Sequence, residues 1–274
     1  MKSVKLNECV FASRKPIISF GKAETQQFHF SLSTFHFAVK KAEPLKVKLL
    51  KFTNDPEKTC AIAGRLCYSA AGIDEIAEKF TKEKTEELLG KIISSGHLSV
   101  LEHASFTFGV EGVSRTLLAQ LTRHRIASFS VQSQRYVKFK DGVDFVIPHT
   151  IAKDEKTLSK YNTFLKAAEE LYKEFLAADI PAEDARYILP NAAATKIIIT
   201  MNARELRHFF ALRCCNRAQW EIREMACRML NLARREAPIL FGDAGPDCVR
   251  DGCHEAFPCD TPWKKVTKVT KAGR

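Results

Sequence analysis

Strand-type and helix-type patterns alternate along most of this 274-residue chain, and their order limits the folds available to it. Alternating or β-branched runs predict strands at residues 45–52, 106–110 and 195–201, with a short strand at 145–147. Apolar residues at helical spacing predict helices over 56–66, 82–94, 113–122, 155–178, 203–213 and 218–235, and Pro181 begins a short helix running to about Leu189. Because no glycine-rich fingerprint follows a strand, we expect a single α+β domain and not a Rossmann fold.

The positive charge of the chain is concentrated at its two ends. Residues 1–44 carry a net charge of +4 and residues 264–274 carry +5, which leaves +2 of the total +11 for residues 45–263. A nucleic-acid-binding module is therefore the weaker alternative, since the body is nearly neutral and has no recognised binding motif. No apolar run approaches the ~20 residues that a membrane helix needs, so we expect a soluble protein.

The patterns predict one domain between two unlike end segments. Residues 1–44 contain six phenylalanines without helical period or clean alternation, which predicts a disordered N-terminal extension. The folded domain is expected over 45–245, followed by a basic, cysteine-containing tail over 246–274. The nine cysteines are odd in number, and the first segment lacks the features of a signal or transit peptide. A reducing cytoplasm is the expected compartment.

The densest set of chemically active side chains lies between Gln120 and Tyr136. Three arginines and a histidine occur within thirteen residues, directly after a predicted helix. The guanidinium group of arginine binds phosphate through two parallel hydrogen bonds, so this segment predicts a pocket for a phosphate-bearing ligand. Cations after a helix C-terminus also stabilise the helix by about 0.3–1 kcal/mol each, which leaves a purely structural role open at this point.

The spacing within this segment resembles a family signature. Arg123-His124-Arg125, then seven residues, then Ser133 resembles the Arg-His-Arg-x7-Ser motif of the ThyX family of flavin-dependent thymidylate synthases, and Gln134-Arg135-Tyr136 continues the pattern. Further segments that resemble the family follow in its order, at 65–68, 96–103, 185–190, 202–204 and 212–222. The resemblance covers about residues 45–240 and implies the ThyX-like fold, with a mainly antiparallel sheet flanked by helices.

The resemblance also implies the reaction and the residues that serve it. Family members methylate dUMP to dTMP, taking the one-carbon unit from 5,10-methylenetetrahydrofolate and the hydride from NADPH through FAD, and they are homotetramers with shared active sites. By residue matching, FAD would be bound by Ser99, Glu102, Arg123, His124, Arg125, Asn202, Arg204 and His208. By the same matching, dUMP would be bound by Gln120, Arg123, Ser133, Gln134, Arg135, Arg186 and Arg213, with Arg213 polarising the uracil as the catalytic residue.

The chain departs from the family pattern just before the motif serine. A Glu or Gln commonly precedes the position before that serine, where this chain has Val131 followed by Gln132. The backbone there can still contact the ligand, whereas a side-chain contact stays an open question. A flavoprotein acting on a different nucleotide shares the same phosphate pocket and stays an alternative. For Arg204 alone, a surface ion pair with Glu205 or another neighbour is the structural alternative.

The cysteines offer two further alternatives. Cys214 and Cys215 are candidates for a thiol nucleophile of the kind that conventional thymidylate synthases use, but no base accompanies them, and we expect buried core thiols instead. Zinc ligation by Cys248, Cys253, His254 and Cys259 is the second alternative. Their spacing matches no standard zinc motif, so we predict no metal site.

Overall fold

The structure, a computed structural model, describes residues 39–250 and 252–263. Most of the predicted N-terminal extension and the basic end of the tail lie outside the described residues. Residues 39–44, the described part of the extension, contact the body of the domain. The backbone N–H of Ala42 donates to the carbonyl of Phe145 at 2.9 Å, and Lys41 forms a parallel β-bridge with Phe145. The predicted domain boundary at Leu45 stays a prediction.

The described residues form a four-stranded sheet. Its strands are β1 (Lys46–Phe52), β2 (Ser105–Ser114), β3 (Ala127–Val131) and β4 (Ala194–Asn202). The spatial order is β1-β2-β4-β3, and each neighbouring pair is antiparallel. This arrangement confirms the expected α+β domain with an antiparallel sheet and no Rossmann topology.

Helices surround and connect the strands. The α-helices are α1 (Pro56–Leu66), α2 (Ile73–Lys79), α3 (Lys82–Ser94), α4 (Arg115–Leu121), α5 (His149–Ala152), α6 (Glu155–Ala177), α7 (Ala182–Ala185), α8 (Ala203–Arg213), α9 (Trp220–Glu236) and α10 (Pro238–Phe241). Within the part of the chain that the structure describes, 3-10 turns lie at Leu98–His103, Arg186–Ile188 and Asp247–Val249. No helix within the described ranges is both long and apolar enough to cross a membrane.

One face of the sheet carries the main core. Phe106 and Phe108 of β2 and Ile199 of β4 are fully buried, whereas Ile198 on the opposite face is 47% exposed. This alternation follows from the two-residue repeat of a strand. Side chains from α1, α3, α8, α9 and α10 complete the core. A smaller cluster under α6 packs around Phe145.

The sequence-based assignment differs from the structure around β2, β3 and residues 145–147. Val113 and Ser114, predicted as the start of a helix, continue β2 past an irregularity in its pairing with β4. β3 was not predicted, because its alternation covers five residues and its hydrogen bonds go to the distant strand β4. The strand predicted at 145–147 is reduced to isolated bridges at Phe145.

A buried carboxylate ties α9 to the start of α4. Glu221 accepts hydrogen bonds from the backbone N–H and the hydroxyl of Ser114, each at 2.6 Å, and its side chain is 3% exposed. Burial raises the pKa of Glu221, while the two donors of Ser114 act in the opposite direction. Since α4 leads directly into the arginine-rich segment, this contact fixes the position from which that segment starts.

Candidate active site

The arginine-rich segment flanks β3, with one part before the strand and one part after it. Gln120 lies in the last turn of α4, and Arg123, His124 and Arg125 occupy the connection that follows. After β3 the chain turns at Ser133, whose hydroxyl accepts the backbone N–H of Arg135 at 3.1 Å. The two halves of the motif are therefore separated by the length of an edge strand.

Arg213, at the end of α8, is held against the first half of the motif. Its Nε–H donates to Nε2 of His124 at 3.1 Å, and its terminal N–H donates to the carbonyl of Gln120 at 3.2 Å. Burial, and then the positive charge of Arg123, lower the pKa of Arg213. An arginine remains protonated in spite of such a shift, so the site contains a fixed, half-buried positive charge.

His124 is the centre of this arrangement. Its side chain is 3% exposed, and Nδ1 lies 2.9 Å from Oε1 of Glu205, whose side chain is 8% exposed. Burial lowers the pKa of His124 below its usual range, and the charge of Arg213 acts the same way, whereas Glu205 opposes the shift. The lowered pKa favours the neutral form of the ring.

Four of the predicted flavin contacts line one cavity of about 980 Å³. These residues are Glu102, Asn202, Arg204 and His208. Arg204 and His208 share a face of α8, as their spacing predicts. Asn202, which lines the cavity, caps α8 by accepting the backbone N–H of Glu205, so the N-terminus of α8 also lies at this cavity. Arg204 forms an exposed ion pair with Glu102 at 2.5 Å, so the surface ion pair considered as its structural alternative is present, with Glu102 and not Glu205 as the partner.

The second half of the motif belongs to another group of arginines. Arg135 forms an ion pair with the carboxylate of Glu183 at 2.5 Å, and Arg186 donates to the backbone carbonyl of Glu183 at 3.0 Å. Arg115 donates to the carbonyl of Gln132 at 3.3 Å. Burial lowers the pKa of Arg115, and the nearby charge of Arg186 adds to this effect. Three cations are thus gathered around one turn.

Several predicted contacts are still available to a ligand. The exposed side chains of Ser99, Arg123 and Arg125 form no hydrogen bond or ion pair with other described residues. Gln134 is 8% exposed, and its Nε2 donor has no hydrogen-bond partner within the described ranges. A buried amide donor without a partner is unfavourable by about 1–3 kcal/mol, so the acceptor of a bound ligand would stabilise this site.

The cysteine alternatives have little support in the geometry. Cys214 is fully buried, and hydrogen bonding with Cys227 together with burial raises its pKa, which opposes formation of a nucleophilic thiolate. Cys215 is only half-buried, so the expected core location is correct for Cys214 and wrong for Cys215. The tail residues Cys248, Cys253, His254 and Cys259 line one cavity of about 130 Å³. Over the described residues, however, no three His, Cys, Asp or Glu side chains converge closely enough to hold a metal ion.

Two polar residues at the site were not identified from the sequence. Glu205 follows the N-cap Asn202 by three residues, a spacing that predicts helix capping and gives no indication of the distant His124. Arg115 lies outside the recognised motif, at the first residue of α4. Both come to the site through long-range contacts that spacing along the chain does not show.

The chain is similar to proteins of one family over most of its length. The family model described as thymidylate synthase complementing protein matches residues 48–239. Similar proteins include the flavin-dependent thymidylate synthase of Geobacter sulfurreducens, 54% identical over 212 residues (77% of this chain and 91% of that one). The enzyme of the same name from Pyrococcus furiosus is 44% identical over 215 residues, covering 76% of this chain and 88% of that one.

A solved structure shares the fold. The crystal structure of a UMP/dUMP methylase from Streptomyces cacaoi, bound with 5-Br dUMP, superposes with a TM-score of 0.66 at 23% sequence identity. The match covers 74% of this chain and 96% of that chain. At this level of identity the likeness concerns the fold alone.

Proposed function

Since the chain belongs to the family of flavin-dependent thymidylate synthases, we propose that it methylates dUMP to dTMP, with 5,10-methylenetetrahydrofolate as the one-carbon donor and NADPH as the reductant. One observation carries the proposal. His208 lines the large cavity and its ring lies 5.8 Å from the ring of His124, which in turn holds Arg213 at 3.1 Å. A continuous set of contacts therefore connects the proposed cofactor cavity to the proposed catalytic arginine.

The residues around the large cavity fit FAD. Arg204 supplies a guanidinium and Asn202 an amide, and the N-terminus of α8 adds a positive dipole end, so the donor set suits a diphosphate. When bound, FAD would supply the hydride-transfer chemistry, with NADPH as the source of the reducing equivalents. Ser99, Arg123, His124 and Arg125 complete the proposed set of flavin contacts.

The proposed role of this chain toward dUMP is to bind the phosphate and to stabilise charge on the base. Arg135 and Arg186 suit the phosphate because a guanidinium group can donate two parallel hydrogen bonds to phosphate oxygens. The unpaired amide donor of Gln134 suits an acceptor atom of the nucleotide. We assign Gln120 and Ser133 to the same ligand. Arg213 then stabilises the negative charge that develops on the pyrimidine as C5 becomes nucleophilic.

A homotetramer with shared active sites would account for the separation of the two arginine groups along β3. The open face of the sheet provides an apolar surface for subunit contact, since Leu50 is 46% and Ile198 is 47% exposed. Sedimentation equilibrium measures the mass directly, and a monomer at micromolar concentration would contradict this assembly. The eight cysteines among the described residues are free thiols, which supports a cytoplasmic location.

The proposed mechanism needs no enzyme thiol. We expect the double variant Cys214→Ala/Cys215→Ala to retain turnover within about threefold of wild type, because the Cys214 thiol is buried and protonated. Steady-state dTMP formation measures the effect. Circular dichroism and flavin absorbance show whether the variant is folded and loaded. A folded, flavin-loaded double variant without activity would instead establish a thiol mechanism.

Tritium release from dUMP labelled at C5 tests the proposed function. The assay contains methylenetetrahydrofolate, NADPH and FAD, and each is omitted in turn. Release that depends on all three is the expected result. Release without flavin or NADPH would overturn the proposal in favour of Cys214 or Cys215 as nucleophile, and no release from folded, flavin-loaded protein would assign the site to a different nucleotide.

A further inference from the structure

Glu205 is a buried carboxylate that the steps above do not use. It occupies the first turn of α8, where its backbone N–H donates to Oδ1 of Asn202 at 2.8 Å. Its side chain is directed to the ring of His124, with 2.9 Å between Oε1 and Nδ1. Both side chains are more than nine-tenths buried, at 8% exposure for Glu205 and 3% for His124, so water does not compete strongly for this hydrogen bond.

The partner on the other side of the ring fixes the direction of both hydrogen bonds. Arg213 can only donate, and its Nε lies 3.1 Å from Nε2 of His124. Nε2 must therefore carry the lone pair, and the ring proton must lie on Nδ1, where it is donated to Glu205. One neutral tautomer satisfies all three groups.

We propose that Glu205 is a positioning residue, which holds His124 as the Nδ1–H tautomer and thereby aims the guanidinium of Arg213 at the pyrimidine. This inference rests on the proposed function, because Arg213 is assigned there to the substrate. Arg213 also donates to the carbonyl of Gln120 at 3.2 Å. This one hydrogen bond does not fix the orientation of the guanidinium group, which also needs the acceptor on the ring of His124. Glu205 acts through His124 and touches no reacting atom.

The arrangement makes the site sensitive to acid. Protonation of Nε2 removes the acceptor of Arg213 and places two cations in contact. The charged and titratable groups facing the ring are Glu205, Arg213 and His208. Burial and Arg213 lower the pKa of His124, so activity should be lost as the pH falls below the usual histidine range.

Two substitutions at Glu205 distinguish its role in positioning His124 from the effect of its negative charge. In Glu205→Gln the side-chain oxygen still accepts the Nδ1 proton, so we expect kcat at pH 8 within about threefold of wild type. The lost negative charge destabilises the imidazolium, so the acid limb of the kcat profile should move to lower pH. In Glu205→Ala the acceptor is gone, the proton can move to Nε2 against the donor of Arg213, and kcat should fall about tenfold or more.

Nitrogen NMR tests the tautomer without turnover. In protein labelled with ¹⁵N-histidine, assigned by comparison with His124→Asn, wild type and Glu205→Gln should show His124 protonated at Nδ1 at pH 8. Glu205→Ala should show a shift toward the Nε2–H form. Wild-type His124 protonated at Nε2, or charged at pH 8, would overturn the inference even if dTMP synthesis is confirmed. If Glu205→Ala does not fold, the Glu205→Gln spectrum and pH profile still decide.

Glu221→Gln is the matched control. Glu221 is a comparably buried carboxylate, at 3% exposure, and it accepts two hydrogen bonds, but its donors belong to Ser114 and not to a histidine. Its substitution should leave the acid limb of the pH profile unmoved. A shift equal to that of Glu205→Gln would show that the limb reports general destabilisation, and would contradict the role assigned to Glu205.

Discussion

Arg213→Ala is expected to lower kcat for dTMP formation by about 100-fold or more while the protein still binds flavin. Arg213 is the fixed cation beside His124 and Gln120, and removing one preorganised donor to developing charge typically has an effect of this size. Arg213 does not line the large cavity that contains Arg204 and His208, so flavin binding should remain. The measurements are steady-state kinetics and the flavin absorbance of the purified protein.

A conservative variant and a surface control sharpen this prediction. Arg213→Lys keeps the charge but loses the planar fork, so its kcat should lie between those of wild type and alanine variant. Arg235, exposed in the last turn of α9, is the matched control, and Arg235→Ala should leave both kcat and flavin content unchanged. Wild-type turnover in Arg213→Ala would remove Arg213 from the mechanism, and simultaneous loss of flavin would assign it a structural role.

Phe106→Ala is expected to lower the free energy of unfolding by about 3–5 kcal/mol. The ring is fully buried between two others, stacked 6.0 Å from Phe52 and edge-on 5.2 Å from Phe241. Truncation leaves a cavity between the sheet and α10. For a domain of this size the melting temperature should fall by about 10 °C, measured by differential scanning calorimetry on flavin-free protein.

Phe164 on α6 provides the control for this stability prediction. Its side chain is 55% exposed, so Phe164→Ala should change the free energy of unfolding by less than about 0.5 kcal/mol. If Phe106→Ala and Phe164→Ala melted at the same temperature, the packing of Phe106 against Phe52 and Phe241 would not stabilise the contact between β2 and α10.

Local signals predicted a large part of the secondary structure. The bounds predicted for α1, α3 and α8 agree with the structure, since each helix has a regular apolar period and two begin after a capping side chain, Thr81 before α3 and Asn202 before α8. β3 escaped prediction because a five-residue edge strand is stabilised by its pairing with β4, which the local pattern does not contain.

The sequence predicted which residues belong to the candidate site, but it did not predict how they are arranged in space. Ordered motifs identified Arg123, His124, Arg204 and Arg213 as candidates, and they fixed the family. The roles of these residues stay predictions until the variants are measured. The motif gave no sign that its two halves, on either side of β3, would join different groups of arginines.

The sequence by itself determined the family, the fold class and the chemical types available at the site, because these depend on local period and on residues whose spacing is short. Only the tertiary structure decided which groups meet. Glu205 lies 81 residues after His124, and Arg213 lies 89 residues after it, yet both contact the same ring. The physical reason is that packing of α8 against the sheet buries these polar groups together, and buried polar groups must then satisfy one another.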